Sequence, residues 1–119
     1  MIDETWRPLC RLADVPDGRA RGLLRDGNDD QVFVVRRGER AFVWLNDCPH
    51  NHRPLEYRQD QFLSADGGHI VCYAHSAHFD IETGRCFAGP CEGQRLVPVP
   101  ARVVDGAVLI PADLPTIFD

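Results

Sequence analysis

Short runs of apolar, β-branched and aromatic residues alternate along the chain with turns rich in glycine, aspartate and asparagine. Residues 31–35 and 41–45 are two such runs, and Gly38 between them is typical of the turn of a β-hairpin. Asp105-Gly106 is a second hairpin signal, near the end of the chain. No long stretch keeps the apolar period of a helix, so the pattern predicts an all-β chain. Further strands are predicted at 21–25, 69–71, 79–81, 85–87, 96–99, 102–104 and 107–110.

The length and composition are typical of one small globular domain. The chain has 119 residues, 44% of them hydrophobic, which predicts a single domain over 1–119 with one modest core. The formal net charge of −5 argues against a nucleic-acid or anionic-membrane partner and suits docking onto a basic protein surface. The sequence shows neither a signal-peptide start nor a run of about 18 apolar residues, so we expect a cytoplasmic location.

The five cysteines carry the most chemical information. In a reducing compartment, clustered cysteines are more often metal ligands than disulfides, and an odd count excludes a complete disulfide framework. Two of them form short pairs with histidine, Cys48-Pro-His50 and Cys72-Tyr-Ala-His75, each at a predicted strand end. Two thiolates and two imidazoles could close a tetrahedral zinc site. They could also hold a diiron cluster with sulfur on one iron and nitrogen on the other.

Histidine ligation would change the charge of a diiron cluster. Two ferric ions, two sulfides and two thiolates sum to zero when both imidazoles are neutral, whereas four cysteine ligands leave two negative charges. An electron is added more easily to the less negative core. The reduction potential therefore rises from about −400 mV to between about −150 and +300 mV.

The residues around both pairs resemble the motifs of Rieske iron–sulfur proteins. Cys48-Pro-His50 with Leu55 is similar to the first motif, C-x-H followed by a leucine five residues after the histidine. Cys72-Tyr-Ala-His75 with Phe79 is similar to the second motif, C-x-x-H-x-x-x-F. Both likenesses include flanking residues as well as the ligands, so they favour the diiron alternative over zinc.

The resemblance extends beyond the two motifs. Thr83-Gly84 and Gly89-Pro90 are similar to the family's TG…GP segment, whose glycine–proline loop covers the cluster. Residues 6–18 and 96–110 also follow the family's opening and ending. The resemblance implies a Rieske-like fold of small antiparallel sheets with two cluster-binding loops at one end. It also implies one Rieske-type [2Fe–2S] cluster, with two cysteine ligands on one iron and two histidine ligands on the other. The implied ligands are Cys48, His50, Cys72 and His75.

Several positions differ from the family pattern. Ser76 follows the second histidine, where the family usually has glycine, and Tyr73 stands where proline is common. High-potential members carry an extra disulfide between their loops and a serine two residues after the second histidine. This chain has Arg53 and Ala77 at the corresponding positions. The absence of this disulfide and of this serine predicts a low-potential cluster of the Rieske type.

The resemblance implies an electron carrier and not an enzyme. The chain has no nucleotide-binding fingerprint and no room for a substrate-binding domain. We therefore expect a soluble Rieske-type ferredoxin that passes single electrons from a reductase to a terminal oxygenase, commonly of an aromatic-ring dioxygenase system. Its partners are then that reductase and that oxygenase, with no small-molecule substrate. Two alternatives are an accessory subunit of a larger oxidoreductase, such as a nitrite reductase, and a zinc-stabilised binding module.

Other cysteines and histidines near the motifs have simpler interpretations. Cys86 and Cys91 flank the glycine–proline loop, and free thiols are favoured there over a redox disulfide. His52 and His78 are expected on loop surfaces, and His69 is expected in a strand. None of these residues is included in the predicted ligand set.

Overall fold

The computed structural model describes residues 6–26, 29–49, 54–56, 60–73 and 76–112. These residues contain ten strands and a single turn of 3₁₀ helix at Leu12–Asp14. The strands are β1 (Trp6–Arg11), β2 (Ala20–Asp26), β3 (Asp29–Arg37), β4 (Arg40–Leu45), β5 (Ile70–Cys72), β6 (Ala77–Phe79), β7 (Cys86–Ala88), β8 (Pro98–Val99), β9 (Arg102–Val104) and β10 (Ala107–Pro111). Within this part of the chain, no helix is long and apolar enough to span a membrane. The predicted all-β fold is confirmed.

The strands form three antiparallel sheets. Their strand orders are β1-β10-β9, β2-β3-β4-β8 and β5-β6-β7. The β3–β4 hairpin turns at Gly38, which has a φ of +62°. The β9–β10 hairpin turns at Asp105 and Gly106, with φ values of +50° and +78°. Two successive left-handed residues are what a type I′ turn requires, so the turn predicted at Asp105-Gly106 is confirmed. The antiparallel pairing of β3 with β4 confirms the other predicted hairpin.

Strand β3 is buried on both of its faces. Residues 32–35 are all fully buried, and their side chains alternate between two hydrophobic clusters. Phe33 and Val35 join the cluster that contains the cysteines of β5 and β7. Val32 and Val34 join a second cluster with residues of β10. The four-stranded sheet therefore lies between the two three-stranded sheets.

Most strands begin or end one or two residues away from the predicted bounds, and hydrogen bonds explain the differences at β6 and β8. β6 ends at Phe79 because the chain turns at Asp80, whose Oδ1 accepts hydrogen bonds from the backbone N–H groups of Glu82 (2.8 Å) and Thr83 (3.1 Å). β8 is shorter than predicted because the backbone N–H of Leu96 donates to the backbone oxygen of Gly84 at 2.9 Å, outside the sheet.

Candidate metal centre

The first cysteine lies in a loop that a buried amide closes. Cys48 follows β4 and is fully buried. Nearby, Oδ1 of the buried Asn46 accepts a hydrogen bond from the backbone N–H of Leu55 at 2.9 Å. Nδ2 of Asn46 donates to the backbone oxygen of Asp30 and to Oε1 of Glu56, each at 2.9 Å. The amide thus joins the two ends of the segment that carries the first cysteine–histidine pair.

The second cysteine ends strand β5 and is connected to the first loop through Leu55. Cys72 is fully buried and pairs with Ala77 across the β5–β6 ladder. The backbone N–H of Tyr73 donates to the backbone oxygen of Leu55 at 3.1 Å. The Tyr73 hydroxyl donates to the backbone oxygen of Leu63. The fully buried Leu55 therefore bonds to the first loop through its N–H and to the second loop through its carbonyl.

A loop containing Gly89 packs against the chain just after the second pair. Gly89 has a φ of +101°, and its ideal Cβ position lies 2.7 Å from the Cα of Ala77 and 2.9 Å from the backbone oxygen of Ser76. Both neighbours are backbone atoms, so a side chain at this position would displace one of the two segments. The glycine–proline loop therefore contacts the chain directly after the second cysteine–histidine pair. We call residues 86–93 the cover loop.

Ser76 adopts a backbone conformation that favours glycine. Its φ is +55°, in the left-handed region, and its side chain is exposed. A residue with a Cβ costs about 1–2 kcal/mol there. The predicted conflict at this position is thus visible in the backbone.

Four of the five cysteines share one buried cluster. Cys48, Cys72, Cys86 and Cys91 all belong to it, and each is at most 1% exposed. Burial, the contact with Cys86 and the negative charge of neighbouring cysteines raise the pKa of Cys91 to about 12. Cys48 and Cys72 are among the neighbours whose charge raises this pKa. The residues Cys48 and Cys72 fit the sulfur half of a metal centre, because buried thiolates need a cation to offset their desolvation.

The nitrogen half of the predicted centre consists of His50 and His75. His50 and His75 lie outside the described residues, as do His52 and Arg53. Among the residues that the structure does describe, no three histidine, cysteine or acidic side chains are arranged to hold a metal ion. The histidine ligands stay a prediction from the motifs.

The structure also joins two histidines that the sequence did not connect. His78 lies in β6, so its predicted loop position is wrong, and His69 immediately precedes β5. Nε2 of His69 and Nδ1 of His78 are at a hydrogen-bonding distance of 2.8 Å. The half-exposed ring of Phe87 packs edge-on against His69, with ring centroids 5.4 Å apart. The pairing of β5 with β6 creates this cluster, and no spacing in the sequence identifies it.

Comparison with known proteins identifies an iron–sulfur family, which is consistent with the buried cysteines. The family model of the Rieske [2Fe-2S] domain matches residues 5–109. The chain is 28% identical over 109 residues to the ferredoxin component of the naphthalene 1,2-dioxygenase system of Pseudomonas aeruginosa. That match covers 92% of this chain and 97% of the relative. The likeness is therefore end to end for that relative.

Two solved structures have the same fold. The Sphingomonas yanoikuyae B1 ferredoxin has a TM-score of 0.68 and 30% identity, covering 88% of this chain and 96% of its own. A chain in the complex of reduced oxygenase and oxidized ferredoxin in carbazole 1,9a-dioxygenase has a TM-score of 0.69 and 25% identity, covering 92% and 94%. These matches decide between the zinc and diiron alternatives, because they imply a Rieske-type [2Fe–2S] cluster as the cofactor. The chain belongs to the Rieske [2Fe–2S] domain family.

Proposed function

We propose that the chain is a Rieske-type ferredoxin that carries single electrons from a reductase to a terminal oxygenase and is not itself an enzyme. The main support for this proposal is that the chain aligns with known ferredoxins over nearly their whole length. The chain matches 97% of a ferredoxin component of a naphthalene dioxygenase system and 96% of a solved ferredoxin. By the same likeness, the terminal oxygenase belongs to an aromatic-ring dioxygenase system.

Within this proposal, the cluster is held by Cys48, His50, Cys72 and His75. The bound [2Fe–2S] group supplies reversible one-electron chemistry. Cys48 and Cys72 present their sulfur atoms from buried positions that exclude water. Asn46 and Leu55 hold the two cysteine loops in a fixed relation through backbone hydrogen bonds.

The proposed reduction potential is low for a histidine-ligated cluster. Ala77 is fully buried at the start of β6 and carries no hydroxyl that could donate a hydrogen bond toward the site. Fewer donors around the sulfur atoms leave the reduced state less stabilised. We therefore expect a value near the lower end of the range of about −150 to +300 mV.

The proposed partners are proteins, and the proposed location is the cytoplasm. The net charge of −5 suits a basic docking face and disfavours nucleic acid and anionic membranes. None of the five cysteines, all of which the structure describes, forms a disulfide, a state that is typical of a reducing compartment. No small-molecule substrate is part of this function.

The cofactor assignment is tested by spectroscopy of the purified protein. After reduction with dithionite, the electron-spin-resonance and visible absorption spectra should be those of a histidine-ligated [2Fe–2S] cluster. His75→Ala should abolish this signal, whereas the control His78→Ala, in strand β6, should retain it. A colourless protein that contains zinc and no acid-labile sulfide would instead establish the binding module.

The carrier assignment needs the partners. A dioxygenase-system reductase should reduce the protein with NADH, and mixing with a Rieske oxygenase and its aromatic substrate should reoxidise it. Cys48→Ser should reduce or abolish this cycling because it removes a proposed ligand. Stable co-purification with a larger oxidoreductase, together with no reoxidation by the oxygenase, would favour the accessory subunit.

A further inference from the structure

Two thiols outside the proposed ligand set are in contact within the cover loop. Cys86 and Cys91 are 0% and 1% exposed, and their Sγ atoms are 3.2 Å apart. The Cys91 thiol donates to Cys86 Sγ, and the Cys86 thiol donates to the backbone oxygen of Ala88 at 3.2 Å. Both residues are thiols and neither is in a disulfide. This contact is a paired sulfur site that the carrier function leaves unused.

Backbone hydrogen bonds hold the two cysteines in place. The N–H of Cys86 donates to the oxygen of Gln94 at 2.8 Å, and the N–H of Gly93 donates to the oxygen of Cys86 at 3.0 Å. The N–H of Gln94 donates to the oxygen of Cys91 at 2.9 Å. Gly93 has a φ of +92°, so it turns the chain back toward β7 without strain. The loop geometry therefore returns Cys91 to Cys86 whatever the rotamers of the two thiols.

We propose that Cys86 and Cys91 form a dithiol modification site that a small hydroperoxide, such as hydrogen peroxide, oxidises to an intraloop disulfide. A disulfide needs a sulfur–sulfur distance of about 2.0 Å. Rotation of the two side chains, together with a small movement of the loop, has to close the remaining distance of roughly 1 Å. The site excludes bulky oxidants because both sulfur atoms are buried, whereas hydrogen peroxide is small and uncharged.

Oxidation of the two thiols by peroxide does not require the cluster. One cysteine attacks a peroxide oxygen as its thiolate, and the O–O bond breaks. A sulfenic acid forms, and the departing hydroxide takes up the thiol proton to become water. The second thiol then attacks the sulfenic sulfur, the S–S bond forms, and a second water molecule leaves. The two sulfur atoms are oxidised by one electron each, and the peroxide is reduced. A small dithiol such as dithiothreitol reverses the step and becomes a disulfide itself.

The disulfide would affect the proposed cluster site by constraining the cover loop, which packs against the chain after the second cysteine–histidine pair. The disulfide would close a ring that contains Gly89, and Gly89 already packs against the backbone of Ala77. The pair is independent of the ligand assignment, since neither residue belongs to the proposed set. Failure of this proposal would therefore leave the electron-carrier proposal intact.

One tryptic peptide isolates the pair. Trypsin cleaves after Arg85 and Arg95, and the peptide 86–95 contains Cys86 and Cys91 but no other cysteine. The cluster-loaded protein is treated with hydrogen peroxide, denatured, labelled with N-ethylmaleimide and digested. The labels on this peptide should fall from two to none, its unlabelled mass should decrease by two hydrogens, and dithiothreitol should restore both labels. The visible cluster absorption, recorded before denaturation, should be retained.

Cys91→Ser and Cys10→Ser provide the controls. In Cys91→Ser no intrapeptide disulfide can form, so peroxide should leave Cys86 either labelled or as an oxygenated acid. Cys10→Ser should behave as the unaltered chain does. The proposal is overturned if both labels persist after peroxide treatment that oxidises the exposed thiol of added glutathione. It is also overturned if Cys86 or Cys91 becomes linked to Cys48 or Cys72 while the cluster absorption disappears.

Discussion

Gly89→Ala should force the cover loop away from the second cysteine loop without altering a proposed ligand. An added Cβ would lie 2.7 Å from the Cα of Ala77 and 2.9 Å from the backbone oxygen of Ser76. Neither backbone atom can rotate away, and overpacking of this kind costs about 1–3 kcal/mol. The φ of +101° adds a conformational cost of about 1–2 kcal/mol for a residue with a side chain.

Gly93→Ala separates these two contributions. Gly93 lies in the same loop with a φ of +92°, but no atom lies within 4 Å of its ideal Cβ position. The free energy of unfolding of Gly93→Ala should fall only by the backbone conformational cost, about 1–2 kcal/mol. Since 1 kcal/mol corresponds to about 4 °C for a domain of this size, Gly89→Ala should melt roughly 4–12 °C below Gly93→Ala.

Thermal unfolding of the cluster-loaded proteins, followed by visible absorption and circular dichroism together, provides the measurement. The two signals should change at the same temperature if the cover loop supports both the fold and the cofactor. Equal melting temperatures for the two variants would refute the inference that the backbone of residues 76 and 77 blocks the space beside Gly89.

Three further predictions concern the loops and the buried thiols. Asn46→Ala removes three hydrogen bonds, so the free energy of unfolding measured in urea should fall by about 3 kcal/mol. The iron content of the purified protein should fall as well. Unchanged iron content would show that this amide does not organise the first loop. Ser76→Gly should raise stability by about 1 kcal/mol by relieving the left-handed backbone, and a lower urea midpoint would contradict that. Cys91 has a pKa raised from 9.0 to about 12, so the unfolded chain releases this proton first, and stability should decrease as pH rises through that interval. Cys91→Ser should flatten the decrease in urea midpoint over this pH range, and an identical profile in both proteins would argue against the burial of this thiol.

The local features of the site were predictable because turn and donor chemistry depends on neighbouring residues. Asp105-Gly106 predicted a type I′ turn, since few residue pairs tolerate two left-handed conformations in succession. The motifs around Cys48 and Cys72 likewise predicted sulfur donors at strand ends, and the structure adds that both cysteines are buried. The resemblance singled out Ser76, because the family usually has glycine at this position, and the left-handed backbone supplies the physical reason.

Other parts of the site depend on contacts between distant segments. Asn46 closes the first loop through Leu55, and nothing in its immediate neighbours marks it as different from any other polar residue after a strand. The His69–His78 hydrogen bond exists because β5 pairs with β6 in one particular register. A shift of one residue in that register would turn the side chains of one strand to the opposite face of the sheet.

By itself, the sequence determined the all-β class, the two hairpin turns and the chemical types of the proposed ligands. Each of these follows from residue types and spacings within a few positions. Only the tertiary structure decided that both faces of residues 32–35 are buried and that Cys86 and Cys91 meet within the cover loop. The physical reason is that strand register and the stacking of sheets set distances between segments, and a pattern along one chain does not encode those distances.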